Sequence, residues 1–137
     1  MSEMDDFNAS IVKEFREHDG VVGGYFAGAT LLLLTTSGAK TNAERLNPLV
    51  YFGEGDTLYV FASAGGAPQH PSWYHNLVAH PDVTVEVGAE RFAARATPVT
   101  GAERDRIYAA QAARSPQFGE YASNTTRTIP VVAITRA

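Results

Sequence analysis

Three short apolar segments lie close together in the first half of the chain, and the connections between them are too short to contain a helix. The segments are 30–36, 46–52 and 57–62, and each has the length of a buried β-strand. Glycine-containing turns follow the first two of them, at 37–42 and 53–56, and such turns join antiparallel neighbours. The sequence therefore predicts an antiparallel meander and excludes an alternating βαβ fold.

The second half of the chain adds three predicted strands, and four helices are predicted in all. Residues 82–87 and 91–97 predict a hairpin across Gly88-Ala89-Glu90, and 129–135 predict a last strand. The predicted helices are an acidic N-terminal helix within 1–19 with Phe7, Ile11 and Phe15 on one face, 72–79, 100–114 with a capping box from Thr100 to Glu103, and 116–123. We therefore expect an α+β fold in which about six mostly antiparallel strands form a small barrel with peripheral helices, as a single domain over 20–137.

Composition removes several classes of function. The chain of 137 residues has no cysteine, which excludes disulfides, thiolate catalysis and cysteine-ligated metal sites. The net charge of −4 resides in residues 1–19, and the rest of the chain is balanced, so binding of nucleic acid by a basic face is not expected. No apolar run approaches the length of a membrane span, and no signal segment opens the chain, so we expect a cytoplasmic protein without stable membrane insertion.

Two polar loops interrupt the apolar strands and are candidates for binding an anion. The first carries Lys40 and Arg45 close to several hydroxyl side chains, a combination that suits phosphate or carboxylate. The second, Ala62–Ala67, contains Gly65-Gly66 and offers backbone N–H groups. On the residues alone, a solvated hairpin loop is the favoured interpretation of the first segment, and an ordinary glycine turn is that of the second. Pro48, in the second strand, implies either a bulge or an edge position because proline donates no backbone hydrogen bond.

The aromatic and histidine residues leave further alternatives open. Trp73 and Tyr74 point about 100° apart on a helix, so one can pack inward while the other borders a groove. His70, His75 and His80 cannot share one helical face at a spacing of five residues, so no metal site is predicted. Tyr108 occupies a core-like position beside Ile107, whereas Tyr121 precedes a polar stretch and is free to border a site.

Six motifs in unbroken order resemble the deazaflavin-dependent nitroreductase family, whose members use coenzyme F420. The motifs are Gly23-Gly24-Tyr25-Phe26-Ala27-Gly28 with Leu31–Thr41, Arg45-Leu46-Asn47-Pro48-Leu49, Ala62–Ala67, His70-Pro71-Ser72-Trp73-Tyr74-His75-Asn76-Leu77, His80-Pro81 and Arg127–Val132. The resemblance covers the chain from about residue 20 to its end. It implies a split β-barrel related to the flavin-mononucleotide-binding oxidases.

The resemblance also implies an activity, namely hydride transfer from reduced coenzyme F420 to electron-poor conjugated acceptors. The acceptors of the family are quinones, nitroaromatics, and coumarin-type or aflatoxin-type unsaturated lactones. Two alternatives remain open, a flavin-mononucleotide-dependent oxidoreductase on the same fold and a non-catalytic carrier of coenzyme F420. Related split barrels commonly dimerise, so a homodimer is one assembly to test.

The family's site residues carry over to matching positions of this chain. Lys40 and Arg45 are implied to hold the cofactor's phosphate, and Asn47, Pro48 and Leu49 to flank its ring. The rest of the cofactor channel is implied to be lined by Ser63, Ala64, Gly65, Gly66, Trp73, Tyr74 and Asn76. Tyr25, Phe26 and Tyr121 are expected at the acceptor, with Tyr121, Ser63 or solvent as the proton donor. Many members have lysine where this chain has Ala64.

Overall fold

Six strands, all paired antiparallel, close into a barrel in the order β1-β2-β3-β6-β5-β4. The computed structural model describes residues 3–21, 30–63 and 69–137, with the backbone alone for 3–7. The elements are α1 (Glu3–Glu17), β1 (Leu31–Ser37), β2 (Glu44–Glu54), β3 (Thr57–Phe61), α2 (Ser72–Ala79), β4 (Asp82–Val87), β5 (Glu90–Val99), α3 (Gly101–Arg114), α4 (Gln117–Ser123) and β6 (Val131–Arg136). The predicted α+β barrel with peripheral helices is confirmed.

In the described part of the chain, the stretch of β2 that contains Pro48 is paired on one side only. β2 pairs with β1 over 44–50 and with β3 over 51–54, in a continuous register. The Tyr51 N–H donates to the Thr30 carbonyl at 3.1 Å, so the odd-numbered residues of β2 direct their backbone groups towards β1. Pro48 therefore faces away from β1, where it loses no ladder hydrogen bond. Of the two predicted alternatives, the edge is correct and there is no bulge.

Pro98 occupies an equivalent position in β5. This strand pairs with β4 over 90–95 and with β6 over 94–99. The Ala96 N–H donates to the Pro81 carbonyl at 2.8 Å, so the even-numbered residues of β5 face β4. Pro98 lies beyond Arg95, which pairs with the first β4 residue, Asp82, and again no ladder bond is lost. We refer to the unpaired side of β2 over 44–50 as the β2 edge.

The barrel interior is apolar, and α2 covers one of its openings. The strand residues that fill it are Leu32, Leu34, Val60, Ala62, Val83, Val85, Ala94, Ala96, Val132 and Ile134. Trp73 and Leu77 of α2 pack into the same cluster. We call this opening the α2 end of the barrel. The opposite opening, the turn end, is bounded by the Gly55-Asp56 and Gly88-Ala89 turns, because the strands that enter these turns run away from α2.

Two clusters cover the outside of the barrel. Ile11 and Phe15 of α1 pack on Leu31 and Leu33 of β1, which confirms the apolar face predicted for this helix from Ile11 onwards. The side chain of Phe7 lies outside the described residues. On the other side, α3 and α4 cover β3 and β6 through Tyr59, Phe61, Ile107, Tyr108, Phe118, Ile129 and Val131. Tyr108 and Ile107 are therefore core residues, as predicted.

The C-terminal end of α1 is fixed against β4 and the turn that follows it. Arg16 makes a two-pronged contact with Glu86, with distances of 3.1 Å from Nε to Oε1 and 2.8 Å from Nη2 to Oε2. Gly20 has φ +94° and lies so close to Gly88 that a Cβ atom there would approach the Gly88 Cα to 2.9 Å. Only glycine fits this contact. In the described part of the chain, no helix is long and apolar enough to cross a membrane.

The predicted capping box at the start of α3 is wrong, although the helix itself is correct. Thr100 is the N-cap residue and makes no side-chain capping hydrogen bond. Gly101 has φ +65°, and this left-handed residue separates Thr100 from the regular helix. Glu103 instead accepts a hydrogen bond of 3.5 Å from the Tyr59 hydroxyl. The Glu103 carboxylate, which a capping box would use, is therefore bound by Tyr59 of β3, the strand that packs beneath the helix.

Candidate functional site

The loop between β1 and β2 is fixed by a buried asparagine of α2. The Asn76 Oδ1 accepts a hydrogen bond of 3.0 Å from the Ala39 N–H, and its Nδ2 donates to the Thr36 Oγ1 at 3.2 Å. Within the loop, Gly38 and Ala43 are joined by a backbone hydrogen bond of 2.8 Å. Asn42 takes a left-handed conformation, φ +59°, which asparagine tolerates better than most residues. The loop is therefore held in one shape by α2.

Lys40 and Arg45 lie at this end of the barrel with their charges available. Both side chains are exposed, and among the described residues neither forms an ion pair with a carboxylate. Arg45 makes only a long contact of 3.4 Å with the Glu44 carbonyl. Two uncompensated cations next to an anchored loop form an arrangement that suits an anionic group such as phosphate.

Asn47 and Leu49 follow Arg45 on the same face of β2, because side chains two residues apart in a strand share a face. Asn47 lies opposite Leu34 and Leu49 opposite Leu32, both of which point into the barrel. The two β2 side chains are half-buried, and Leu49 packs on the interior cluster. With increasing distance from the Lys40 loop, the side chains on this face therefore change from charged Arg45 to polar Asn47 to apolar Leu49.

The β2 edge presents backbone donors on its other side. The N–H groups of Leu46 and Val50 point away from β1, and no described strand pairs with this side of β2 before residue 51. The N–H of Leu49, in contrast, belongs to the ladder with β1. Of the positions 48 to 50, Val50 thus supplies the donor that faces outward. Pro48 is buried, with no N–H to offer.

The side chain of Arg127, which precedes β6, contacts the end of β3 and His70, two residues before α2 begins. Its Nη1 donates to the Ala62 carbonyl at 3.0 Å and to the His70 Nδ1 at 2.8 Å, and its Nη2 donates to the Ser63 carbonyl at 2.8 Å. Because an arginine can only donate, the His70 Nδ1 must be the acceptor and its proton must lie on Nε2. Arg127 belongs to the last of the six motifs, and the family resemblance assigned it no role.

The surroundings of His70 favour its neutral form. Burial, with smaller contributions from the nearby charges of Arg127 and His75, lowers the pKa of His70 below its ordinary value of 6.5. Its ring lies 5.0 Å from the Tyr74 ring and 5.9 Å from the His75 ring, measured between centroids. His70 precedes α2, so the helical spacing argument applies to His75 and His80 alone. In the described residues no group of three or more His, Cys, Asp or Glu could hold a metal ion.

Trp73 and Tyr74 diverge as their spacing predicts. Trp73 is 6% exposed and belongs to the interior cluster, whereas Tyr74 is half-buried and contacts His70. α2 therefore carries the buried indole, the Asn76 anchor of the Lys40 loop, and the tyrosine beside His70.

Tyr121 packs against the cluster under α3 and α4 that contains Tyr108 and Phe118. The Tyr121 ring packs edge-on against Phe118 at 5.3 Å, and Tyr108 donates to the Phe118 carbonyl at 2.6 Å. Burial raises the pKa of Tyr108, and the nearby Tyr121 raises it further, while Arg127 is close enough to oppose that shift. The other predicted proton donor, Ser63, contacts Arg127 through its backbone carbonyl.

Five of the predicted site residues lie outside the described residues. They are Tyr25 and Phe26 in the glycine-rich segment, and Ala64, Gly65 and Gly66 in the loop after β3. Their roles in binding stay predictions. The flanking residues Ser63 and His70 are described, and both contact Arg127.

A cavity of about 590 Å³ lies at the turn end, away from all the predicted site residues. It is lined by Gly55, Asp56, Leu58, Val87, Glu90, Phe92, Ile134, Thr135 and Arg136. Arg136 forms an ion pair with Glu90 and lies 3.9 Å from the centroid of the Phe92 ring. The positive charge in this cavity is already neutralised, which distinguishes it from the α2 end.

Comparison with known proteins identifies the relatives of the chain. A quinone reductase of Mycobacterium tuberculosis strain H37Rv, described as F420H(2)-dependent, is 41% identical over 126 residues, which cover 89% of this chain and 85% of the relative. A solved F420-H2 dependent reductase, FDR-A, is 34% identical with a TM-score of 0.71 and covers 82% of this chain and 99% of that one. A solved domain-swapped dimer is 33% identical with a TM-score of 0.72, over 97% and 99% of the two chains.

The family model described as F420H(2)-dependent quinone reductase matches residues 9–136, which include α1 from its second turn and every strand of the barrel. The resemblance inferred from the six motifs is thereby confirmed, and the chain belongs to the F420H(2)-dependent quinone reductase family.

Proposed function

We propose that this protein reduces quinones with reduced coenzyme F420 as the hydride donor. The observation that carries the proposal is the family match over residues 9–136, together with 41% identity to a relative described as an enzyme of this kind. The bound deazaflavin supplies the two-electron chemistry, and the protein supplies placement, charge and exclusion of water. This division of labour explains why the sequence contains no recognisable acid–base or nucleophilic motif.

The residues at the α2 end fit a cofactor with a phosphate-containing tail. Lys40 and Arg45 are exposed cations that lack a carboxylate partner among the described residues, and Asn76 fixes the loop that carries Lys40. We assign the phosphate to these two cations. In this proposal Asn76 acts by holding the loop, because each end of its amide already makes a hydrogen bond within the protein.

The β2 edge suits the ring system of the cofactor. Asn47, Pro48 and Leu49 are the positions that match the family's ring-flanking segment, and they follow Arg45 along the strand. The outward N–H of Val50 is placed to stabilise negative charge that develops on a ring lying along this edge. Ser63, Ala64, Gly65, Gly66 and Tyr74 complete the proposed channel, and the buried Trp73 supports it from the interior cluster.

The acceptor side of the proposal rests on Tyr25, Phe26 and Tyr121. A flat quinone needs an apolar wall, and aromatic side chains provide one. Transfer of a hydride to a quinone leaves an oxyanion that takes up one proton, and Tyr121, Ser63 or solvent can donate it. We extend the proposed acceptors to nitroaromatics and to unsaturated lactones, which are also electron-poor and conjugated.

The experiment that tests the function mixes the purified protein, without oxygen, with reduced coenzyme F420 and a soluble naphthoquinone. We expect recovery of the oxidised deazaflavin, measured by its fluorescence, at a rate proportional to protein concentration. A parallel titration with flavin mononucleotide checks the choice of cofactor. Tight binding of the flavin in place of the deazaflavin would contradict the proposal, and binding of coenzyme F420 without turnover on any acceptor would indicate a carrier.

We also propose that the protein assembles as a homodimer. A relative with 33% identity, over nearly the full length of both chains, is described as a domain-swapped dimer. Sedimentation or light scattering over a range of protein concentrations tests this proposal, and a monomer throughout would contradict it.

A further inference from the structure

We propose that the cavity at the turn end is a second binding site, which takes a small apolar molecule that carries one positive charge. This inference does not depend on the proposed use of coenzyme F420, because the cavity lies at the opposite end of the barrel from Lys40 and Arg45. Its volume of about 590 Å³ is that of an ordinary small-molecule pocket. Nine described residues line it, from the ends of β3 to β6 and from the turn before β3.

The floor of the cavity is the last apolar layer of the barrel interior. It consists of four side chains that belong to the interior cluster or pack against it, namely Leu58, Val87, Phe92 and Ile134. Each stands two residues before or after an interior residue of its own strand, and side chains at that spacing share a face. A ligand seated on this floor would therefore bury its apolar surface directly against the core.

The two ends of the barrel differ in how their last interior layer is covered. At the α2 end, Trp73 and Leu77 of α2 pack into the interior cluster, and both are buried. At the turn end no described helix contributes to the cluster, and Leu58, Val87 and Phe92 are only half-buried. Half-buried apolar side chains around a cavity favour a ligand with an apolar body, because its binding removes their remaining surface from water.

The rim of the cavity is charged, and the charge that lacks a partner is negative. Glu90 forms an ion pair with Arg136, whose guanidinium lies over the Phe92 ring at 3.9 Å from its centroid. The other carboxylate of the rim is Asp56, which is exposed and forms no ion pair among the described residues. The rim thus has two carboxylates and one cation, so its field attracts cations and repels anions.

The arginines closest to the rim leave this negative charge uncompensated. Arg106 donates to both carboxylate oxygens of Glu54, next to the turn, at 2.9 and 2.8 Å. Arg16 makes its two-pronged contact with Glu86, near the end of β4. With these two cations engaged, the charge that complements Asp56 has to come from solution. The chemistry that fits both floor and rim is an apolar ring system with a protonated amine.

The first test uses two probes of similar size and opposite charge, 1-naphthylmethylamine and 1-naphthoic acid. Each is titrated into the unmodified protein by calorimetry at neutral pH and low salt, where the amine is protonated and the acid is ionised. We expect the amine to bind with a Kd on the order of 100 µM, as suits a ligand of about a dozen atoms. The acid should bind at least roughly tenfold more weakly. Equal affinities, a preference for the acid, or no binding of either probe would overturn the proposal.

The place of binding is determined on the unmodified protein, from the changes that the amine causes in the backbone amide NMR signals. We expect the largest changes at Val87, Phe92 and Ile134, on the floor of the cavity. The signals of Lys40 and Asn76, at the α2 end, should stay where they are. Because this measurement needs no variant, it does not depend on how well a variant folds. Largest changes at the α2 end would overturn the assignment.

Charge variants of the rim test the sign of the preference. Asp56→Asn should weaken binding of the amine by roughly threefold to fivefold, since an exposed ion pair contributes little. Asp82→Asn is the matched control, because it removes the same charge at the α2 end of β4 and should leave the affinity unchanged. The double variant Asp56→Asn, Glu90→Gln leaves Arg136 as the only charge of the described rim, and should prefer naphthoic acid to the amine. An unchanged preference in the double variant would overturn the proposal.

A last variant fills the cavity and separates a small ligand from a second copy of the chain. Val87→Phe adds volume where the cavity has room, so the fold should be kept and binding of the amine should be lost. Full affinity in this variant would overturn the proposal. The same holds if neither probe binds and the amide signals of Phe92 and Ile134 change with protein concentration, since the mouth would then be an interface between copies.

Discussion

The two ends of the barrel contain charges that serve different purposes. At the turn end, three arginines each meet a glutamate: Arg16 with Glu86, Arg106 with Glu54, and Arg136 with Glu90. At the α2 end, Lys40 and Arg45 have no such partner among the described residues, and the described partners of Arg127 are carbonyls and a histidine.

The paired charges at the turn end join structural elements, whereas those of Lys40 and Arg45 are available to a ligand. The turn-end pairs connect α1 and α3 to the strands and close β5 onto β6. Among the described residues, Lys40 and Arg45 form no ion pair that joins two elements, and the loop of Lys40 is nevertheless anchored by buried Asn76. The cavity of about 590 Å³ lies at the other end, where Arg136 is already paired with Glu90.

The largest effect is expected from removing the charge at the α2 end. The double variant Lys40→Ala, Arg45→Ala should weaken binding of coenzyme F420 by about 3 kcal/mol, roughly a hundredfold, because charge-assisted contacts to phosphate are the strong ones. Fluorescence titration measures this change. Arg136→Ala at the turn end is the control and should leave the affinity unchanged. If Arg136→Ala weakened binding more than the double variant, the two ends would have to exchange roles.

A smaller effect is expected from the loop anchor. Asn76→Ala leaves the Ala39 N–H and the Thr36 hydroxyl without their partner, and should lower the free energy of unfolding by about 2 kcal/mol. The affinity for the cofactor should fall as well, because the Lys40 loop loses its fixed shape. Val78→Ala, on the same helix with 54% of the side chain exposed, should change neither quantity. Urea denaturation and the cofactor titration together distinguish these outcomes.

Tyr121→Phe should act on turnover alone. The ring contact with Phe118 is kept, so cofactor affinity should stay the same, while kcat with a quinone should fall roughly tenfold if the hydroxyl donates the proton. Tyr108→Phe is the control. It removes a buried hydrogen bond to the Phe118 carbonyl and should lower stability without lowering kcat. If both variants keep full turnover, Tyr121 is a packing residue and the proton comes from elsewhere.

The smallest effect is expected at the turn end. Arg106 forms a hydrogen-bonded pair with Glu54 that lowers the pKa of this carboxyl below its ordinary 4.5. The stabilisation is therefore present above that ordinary value and is lost as the pH falls through the lowered pKa. Arg106→Gln should be slightly less stable than the unmodified protein at neutral pH, and the difference should vanish in acid or in high salt. A difference that persists in acid would mean that Arg106 stabilises the protein by packing.

The sequence predicted the barrel because its signals are local. Apolar runs bounded by glycine turns define β1 to β3, and the alternation of β4 and β5 defines the second hairpin. β2 extends two residues beyond its prediction at each end, because Glu44, Arg45, Gly53 and Glu54 join the ladder without adding apolar side chains. The start of α3 shows the opposite case. The spacing from Thr100 to Glu103 is that of a capping box, but the left-handed Gly101 between them separates Thr100 from the helix.

The parts of the site that the sequence did not predict depend on contacts between distant residues. Arg127 is 57 residues from His70 and 64 from Ser63, and no pattern along the chain connects them. Asn76 was predicted as a cofactor residue, and its contacts to Thr36 and Ala39 arise only after α2 has closed the barrel. The one available signal in the sequence was a basic residue, Arg127, just before the last apolar strand. Its position does not indicate which residues it contacts.

Pro48 has a consequence for the behaviour of the β2 edge in solution. An unpaired strand edge can accept a strand from another molecule, and this is a common origin of aggregation. Such an added strand needs a donor at every second residue, about 7 Å apart, whereas Pro48 leaves a gap of about 13 Å between the outward donors of Leu46 and Val50. The edge can therefore offer a single amide to a small flat molecule and still be a poor template for a β-strand. Pro98 interrupts β5 in the same way.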